Sequence, residues 1–248
     1  MDLFYVSPGQ LDLGGGRAVI DGDEFHHLSR VLRSRVGDRI PVTDGAGLSA
    51  WLTIEAIGKR SLEGVLDECV RMPRPSTSVS VAISLLKSPQ RFDFFLEKAT
   101  ELGIDRIIPM TTRRTVSTPS AEKFERKVER WRSVVQSAAR QCRRFHLPEV
   151  CEPLPFGEVL RLPGYDVRLI PWESERRLPG FDPAGKRLLF LVGGEGGFTE
   201  DEVAGAEAAG FEPVTFGRTI LRAETAGIFS VALVRSRLLL DTDAGQWL

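Results

Sequence analysis

Hydrophobic and polar positions change their rhythm near residue 75. Before it, apolar residues fall in short strand-like runs: Phe4 to Val6, Ala18 to Ile20, Arg39 to Thr43, Leu48 to Ile57 and Ser61 to Leu66. Asp44-Gly45-Ala46-Gly47 supplies hairpin turn chemistry between two of them. Phe25, Leu28, Leu32 and Val36 recur at helical spacing and predict one helix from about Asp23 to Arg35. Together these elements predict a small β-barrel. Met72-Pro73-Arg74-Pro75-Ser76-Thr77-Ser78 then reads as an extended linker, giving a first domain over 1–73 and a second over 74–248.

After the linker, strands alternate with helices, the mark of an α/β domain with a mostly parallel sheet. Val79 to Leu86, Ile107 to Met110, Val167 to Ile170, Arg187 to Val192 and Pro213 to Phe216 are the predicted strands. The fourth is apolar from Leu188 to Val192, as suits the middle of a sheet covered on both faces. Ser88-Pro89 opens a helix whose stripe is Phe92, Phe95, Leu96, Ala99 and Leu102, and Gly103 ends it. A longer helix, about Ala121 to Arg143, carries a seam of Phe124, Val128, Trp131, Val135, Ala138 and Cys142. A last helix runs from about Glu224 to Leu240.

The composition is that of a globular chain: 248 residues, 42% hydrophobic and 27% charged, with a formal charge of −1. The longest apolar run falls far short of the roughly 20 residues needed to span a membrane. No basic, then apolar, leader opens the chain, so a cytoplasmic location is expected. Cys69, Cys142 and Cys151 form no CxxC pair; Cys142, His146 and Cys151 lack an obvious fourth ligand, and no metal is expected. The near-neutral total hides one cationic segment, residues 113–144, with 10 basic and 3 acidic groups. Such an excess is a plausible footprint for a phosphate backbone, or else a solvated helix face.

Two glycine loops carry the candidate chemistry. Leu189 to Val192 runs into Gly193-Gly194-Glu195-Gly196-Gly197-Phe198, and Thr199 with Glu202 forms a capping box that starts a helix. Bare backbone between a strand and a helix lets a ligand approach closely. The spacing fits neither GxGxxG nor a P-loop, and the acids at the helix start favour a neutral or cationic ligand over a phosphate. A second strand end, Phe216-Gly217, leads through Arg218 to Arg222 into Ala223-Glu224-Thr225-Ala226. Two neighbouring strand ends of this kind can make one crevice at a sheet's carboxyl edge, with Arg222 and Glu224 as its charged groups.

With these motifs the chain resembles the 16S ribosomal RNA uridine N3-methyltransferases of the trefoil-knot (SPOUT) superfamily. His26-His27-Leu28-Ser29-Arg30-Val31-Leu32-Arg33 resembles the family's HxxRVLR segment, in a PUA-like β-barrel. Glu97 to Gly103 resembles its K-A-x-E-L-G helix, and Arg130-Trp131 through Pro148 its W…A…EQ…R…P segment. The glycine turn is similar to GPEGG, and Ile220 to Ala226 to ILRTETA. Departures are Gly194 for the usual Pro, Ala223 for Thr, Arg113 for Glu, and Thr219 for a basic residue.

The resemblance implies S-adenosylmethionine bound in a C-terminal knot by three loops. Here these are Leu169, Ile170 and Pro171; Gly193, Gly194, Glu195 and Gly197; and Phe216, Gly217, Ile220, Leu221, Arg222, Ala223, Glu224 and Ala226. It also implies a homodimer acting on ribosomal RNA of the small subunit. Glu195 or Glu224 is the candidate proton acceptor and Arg222 the candidate stabiliser of charge on the uracil oxygens. Arg30, Arg33, Arg114, Arg140, Arg143 and Arg144 are the candidate RNA contacts. The alternatives are another knotted RNA methyltransferase, with a ribose or tRNA target, and a non-catalytic assembly factor.

Overall fold

A computed structural model describes residues 2–115 and 121–241, and the chain divides into two compact units. The first comprises residues 1–74 and 139–147. Its strands are β1 (Phe4–Tyr5), β2 (Leu11–Asp12), β3 (Arg17–Asp21), β4 (Arg39–Thr43), β5 (Leu48–Ile57) and β6 (Ser61–Arg71). They form one sheet in the order β1-β4-β5-β6-β3-β2, antiparallel except for β1 beside β4. Phe4, Ile20, Leu28, Leu52, Ile54 and Leu62 fill its core from alternate positions. The turn at residues 44–47 joins β4 to β5, with Asp44 accepting from the N–H groups of Ala46 and Leu48. Gly64 is required in β6, because a Cβ there would stand 2.1 Å from the Thr53 carbonyl oxygen.

The helix expected over 23–35 is shorter. α1 (Gly22–His26) continues as a π-helical turn, His27–Val31, and stops. Leu32 donates to the His27 carbonyl and Ser34 to that of Leu28, and Arg33 takes a left-handed conformation with φ 54°. Phe25 and Leu28 are therefore core, whereas Leu32 and Val36, expected on the same stripe, are exposed.

The first unit also holds a segment that lies far away in the sequence. Leu3 donates to the Arg140 carbonyl, Gly47 to that of Phe145, and the Tyr5 hydroxyl to that of Arg144. A linker near residue 75 does not foretell this recruitment of 139–147, since nothing in local periodicity reports which turn a helix end meets.

The second unit comprises residues 75–138 and 148–248. Its strands are β7 (Ser78–Ser84), β8 (Arg106–Thr111), β9 (Glu149–Val150), β10 (Leu154–Pro155), β11 (Val167–Pro171), β12 (Arg187–Val192) and β13 (Glu212–Val214). The sheet is parallel in every pairing, ordered β10-β8-β7-β12-β11-β13, with β9 also on β8. Alternation splits each apolar strand between two faces. Leu188, Phe190 and Val192 point to one core and Leu189 and Leu191 to the other.

The first face packs under α2 (Pro89–Glu101), α3 (Ala121–Gln141) and α6 (Ala223–Asp241) through Phe92, Phe95, Trp131, Val135 and Val231. The second packs under α4 (Phe156–Val159) and α5 (Glu200–Ala208) through Val159, Val203 and Ala206. Ser88 caps α2, accepting from the Arg91 N–H ahead of Pro89. The strand expected over 213–216 ends at Val214, because the Thr215 hydroxyl turns the chain by bonding Gly217 at both its N–H and its carbonyl. Among the described residues no helix is long and apolar enough to cross a membrane.

Candidate active site

Three loops leave the carboxyl ends of β12, β11 and β13, which lie side by side in that order. Parallel pairing alone therefore brings residues 171–173, 193–197 and 215–222 to one edge of the sheet, where α/β proteins hold ligands. A cleft of about 90 Å³ opens there. Pro171, Trp172 and Glu173 form one wall, and Thr215, Phe216, Gly217, Thr219, Ile220, Leu221 and Ala226 the other.

Backbone bonds fix both walls. Trp172 donates to the Val214 carbonyl and Thr215 to that of Arg177. Glu175 braces the loop by accepting from the N–H groups of Arg177 and Arg176, which hold its carboxyl below the usual range. Gly217, at φ 117°, occupies a conformation that side chains disfavour.

The glycine turn stands beside this cleft. Gly197 donates to the Gly194 carbonyl, and a Cβ on Gly193 would meet the Gly197 backbone at 3.0 Å. A Cβ on Gly197 would lie 3.3 Å from Glu173 Oε1, so the turn and the cleft share this carboxylate. The expected capping box is formed: Thr199 caps α5, and Glu202 accepts from the Thr199 N–H. Glu202 is buried and also accepts from the Arg113 N–H, while Arg113 pairs with Asp201. Arg114 donates to the Gly196 carbonyl. The turn is thus pinned by residues following β8.

The two candidate proton acceptors have different surroundings. Glu195 is exposed on the turn, and its Oε1 accepts from the Lys87 N–H at 3.1 Å. Glu224 is buried at the start of α6, with Arg91 Nε 3.7 Å from its Oε1. Lys87 and Arg91 belong to the corner between β7 and α2, so one short segment steadies both carboxylates. Arg222 is exposed immediately before α6.

The remaining expected site residues divide by position. Leu169 and Ile170 point into the two cores of the sheet, leaving Pro171 as the β11 residue that lines the cleft. Gly194 lies against Ser84, where a Cβ would be 3.1 Å from the hydroxyl. Ala223 is buried in the core under α6. Trp172, Glu173 and Thr215 also line the cleft, beyond the expected residues; a loop of ordinary residues past a strand end carries no periodic signal in the sequence.

Of the expected RNA contacts, Arg30, Arg33 and Arg143 are exposed and Arg144 half-buried. Arg114 is exposed and donates to the Gly196 carbonyl of the glycine turn. Arg140 turns inward to pair with the buried carboxylate of Glu24.

Comparison with known proteins adds a family to this geometry. Residues 73–235 match the RNA methyltransferase domain family, and residues 20–67 match the RNA methyltransferase PUA domain family. The chain is similar to the ribosomal RNA small subunit methyltransferase E of Mycobacterium tuberculosis, at 33% identity over 94% of this chain and 90% of that protein. The Synechocystis protein of the same name is 35% identical, over 88% and 72%. Among solved structures, a Neisseria gonorrhoeae ribosomal RNA small subunit methyltransferase E bound to S-adenosylmethionine superposes with a TM-score of 0.83 at 29% identity. That match covers 95% of this chain and 97% of the other.

Proposed function

Since the chain belongs to the ribosomal RNA small subunit methyltransferase E family, we propose that it methylates N3 of one uridine in 16S ribosomal RNA, using S-adenosylmethionine. The observation that carries this reading is the convergence of the three loops of β11, β12 and β13 on one cleft.

The residues present suit the cofactor. Trp172, Phe216 and Leu221 offer apolar surface for a purine, the carboxylate of Glu173 suits a positive charge, and the glycine turn exposes backbone. Bound there, S-adenosylmethionine supplies a methyl group activated by its sulfonium. The chain's own part is to hold uridine N3 in line with that methyl, to take the N3 proton, and to steady negative charge on the uracil oxygens. Glu195 or Glu224 accepts the proton and Arg222 provides the charge. Glu195 Oε2 is the better placed oxygen, since Oε1 is already held by Lys87.

The finer parts of the reading have their own support. A homodimer is favoured by exposed apolar side chains at Ile220, Phe229, Leu239 and Leu240. Phe229 packs against Phe216 of the cleft with the rings tilted by 58° and 4.9 Å between their centres, so that face adjoins the candidate site. Family membership supports a knotted C-terminal segment and action in the cytoplasm, and Arg30, Arg33, Arg143 and Arg144 are the arginines proposed to meet RNA.

The test is methylation of small-subunit RNA, free and within the assembled subunit, followed by nucleoside analysis. The expected product is 3-methyluridine at one position, where primer extension stops. A methylated ribose, a tRNA product or no methyl transfer at all overturns the reading.

A further inference from the structure

Three neighbouring strands of the second unit, β8, β7 and β12, end side by side at the glycine turn. β7 ends at Ser84, whose hydroxyl lies 3.1 Å from that of Thr115 and 3.3 Å from that of Thr112, both in the segment after β8. The two threonine hydroxyls are 3.1 Å apart, so the three close a triangle. Each hydroxyl carries one proton, and a ring in which each donates once and accepts once satisfies all three. Thr115 Oγ1 also accepts from the Thr112 N–H at 2.7 Å, and the Thr115 N–H donates to the Thr112 carbonyl, which anchors that corner. Ser84 has little freedom to move. It is fully buried, it pairs with Met110 in the sheet, and the next N–H, of Leu85, donates to the Met110 carbonyl.

This ring bears on the turn. A Cβ on Gly194 would stand 3.1 Å from Ser84 Oγ and 3.4 Å from Ser84 Cβ. Gly194 is not among the residues of positive φ, so its backbone would admit alanine; the close approach of Ser84 is what favours glycine there. A loosely held neighbour could yield a few tenths of an ångström, whereas Ser84 is gripped by the threonines on one side and by strand pairing on the other. The next two residues of the turn are met from the same two segments. Glu195 accepts from the Lys87 N–H, three residues past Ser84, and the Gly196 carbonyl accepts from Arg114, which stands between the two threonines.

We propose that Ser84, locked by Thr112 and Thr115, is a positioning residue for the cofactor: its hydroxyl sets the height of Gly194, and with it the backbone groups that the turn offers to S-adenosylmethionine. It acts through the turn and not on the reacting atoms. The proposal rests on the reading above that this turn holds S-adenosylmethionine.

Calorimetric titration of the full chain with S-adenosylmethionine, alongside its denaturant midpoint, tests the proposal. Gly194→Ala should weaken cofactor binding about tenfold, because the new methyl lifts the turn off Ser84. Ser84→Ala should weaken binding a few fold in the wild-type chain, where the turn loses its stop, yet strengthen it in the Gly194→Ala chain, where it makes room for the methyl. A merely structural hydroxyl would lower the denaturant midpoint and shift affinity equally in both chains, so the reversal of sign is the signature of positioning. Additive effects, or affinities in both single variants within about twofold of wild type, overturn the proposal. Should Gly194→Ala fail to unfold cooperatively, Thr115→Val carries the test: it unties the ring and should weaken binding a few fold, with Thr115→Ser restoring it, and an unmoved affinity overturns the proposal. A wild-type chain that binds no S-adenosylmethionine overturns the underlying reading as well, whereas wild-type binding without the sign reversal overturns this proposal alone.

Discussion

Arg114 donates from Nη1 to the carbonyl oxygen of Gly196 at 2.5 Å, and its stem lies 3.2 Å from the point where a Cβ on Gly196 would stand. The arginine and the missing side chain are two halves of one contact. It ties the segment after β8 to the glycine turn after β12, so Arg114 shapes the proposed cofactor loop.

Removing this tie should loosen the turn. Arg114→Ala is expected to weaken S-adenosylmethionine binding on the order of tenfold, the worth of one charge-assisted hydrogen bond. Calorimetry measures this directly. A loss of RNA affinity with a flattened salt slope, and no change in cofactor affinity, would make Arg114 an RNA contact and not a brace of the turn.

The two carboxylates steadied by the β7–α2 corner separate chemistry from binding. Replacing the proton acceptor by Gln, at Glu195 or at Glu224, should lower turnover about a hundredfold or more while cofactor affinity stays within a few fold. Near-normal turnover in both variants would leave positioning as the chain's whole contribution.

Arg140 should behave as a structural residue. Its guanidinium pairs with the buried Glu24, and deleting it takes that countercharge from a carboxylate held out of water. Arg140→Ala is expected to cost about 3 kcal/mol of stability, read as a fall in the denaturant midpoint. The salt slope of RNA binding should not change.

Tyr5 gives a pH signature. Burial pushes its hydroxyl well above the ordinary 10.0, with Cys142 adding in the same direction, and the hydroxyl donates to the Arg144 carbonyl. The folded protein therefore retains this proton when the unfolded chain has lost it. Its contribution is fully present below pH 10 and declines as pH rises above that value. Tyr5→Phe should lower stability by about 1 kcal/mol near neutrality and flatten the fall above pH 10. Parallel alkaline unfolding curves for the two proteins would refute this.

Much of the architecture is legible in periodicity. The run from Leu188 to Val192 has apolar residues at both parities, which only a strand covered on both faces can bury, and β12 lies inside the sheet with helices on each side. Ser88-Pro89 and Thr199 with Glu202 are local signals, since a cap acts within one turn, and both helices start where these residues place them. Leu32 and Val36 misled for the same reason: apolar spacing reports a helix only while the chain keeps helical geometry, and the π-helical turn breaks it at residue 31.

The sequence by itself determined the strand and helix types, the glycine loops and, through its ordered motifs, the family. Tertiary structure decided which side chains those loops meet. Arg114 and Arg140 stand in one cationic stretch and look alike there, yet one tightens the glycine turn and the other pairs with Glu24. Their partners lie 82 and 116 residues away. Local pattern records burial and turn geometry within a few neighbours, whereas the pairing of a charge is set by which distant element the sheet order and the helix ends bring beside it.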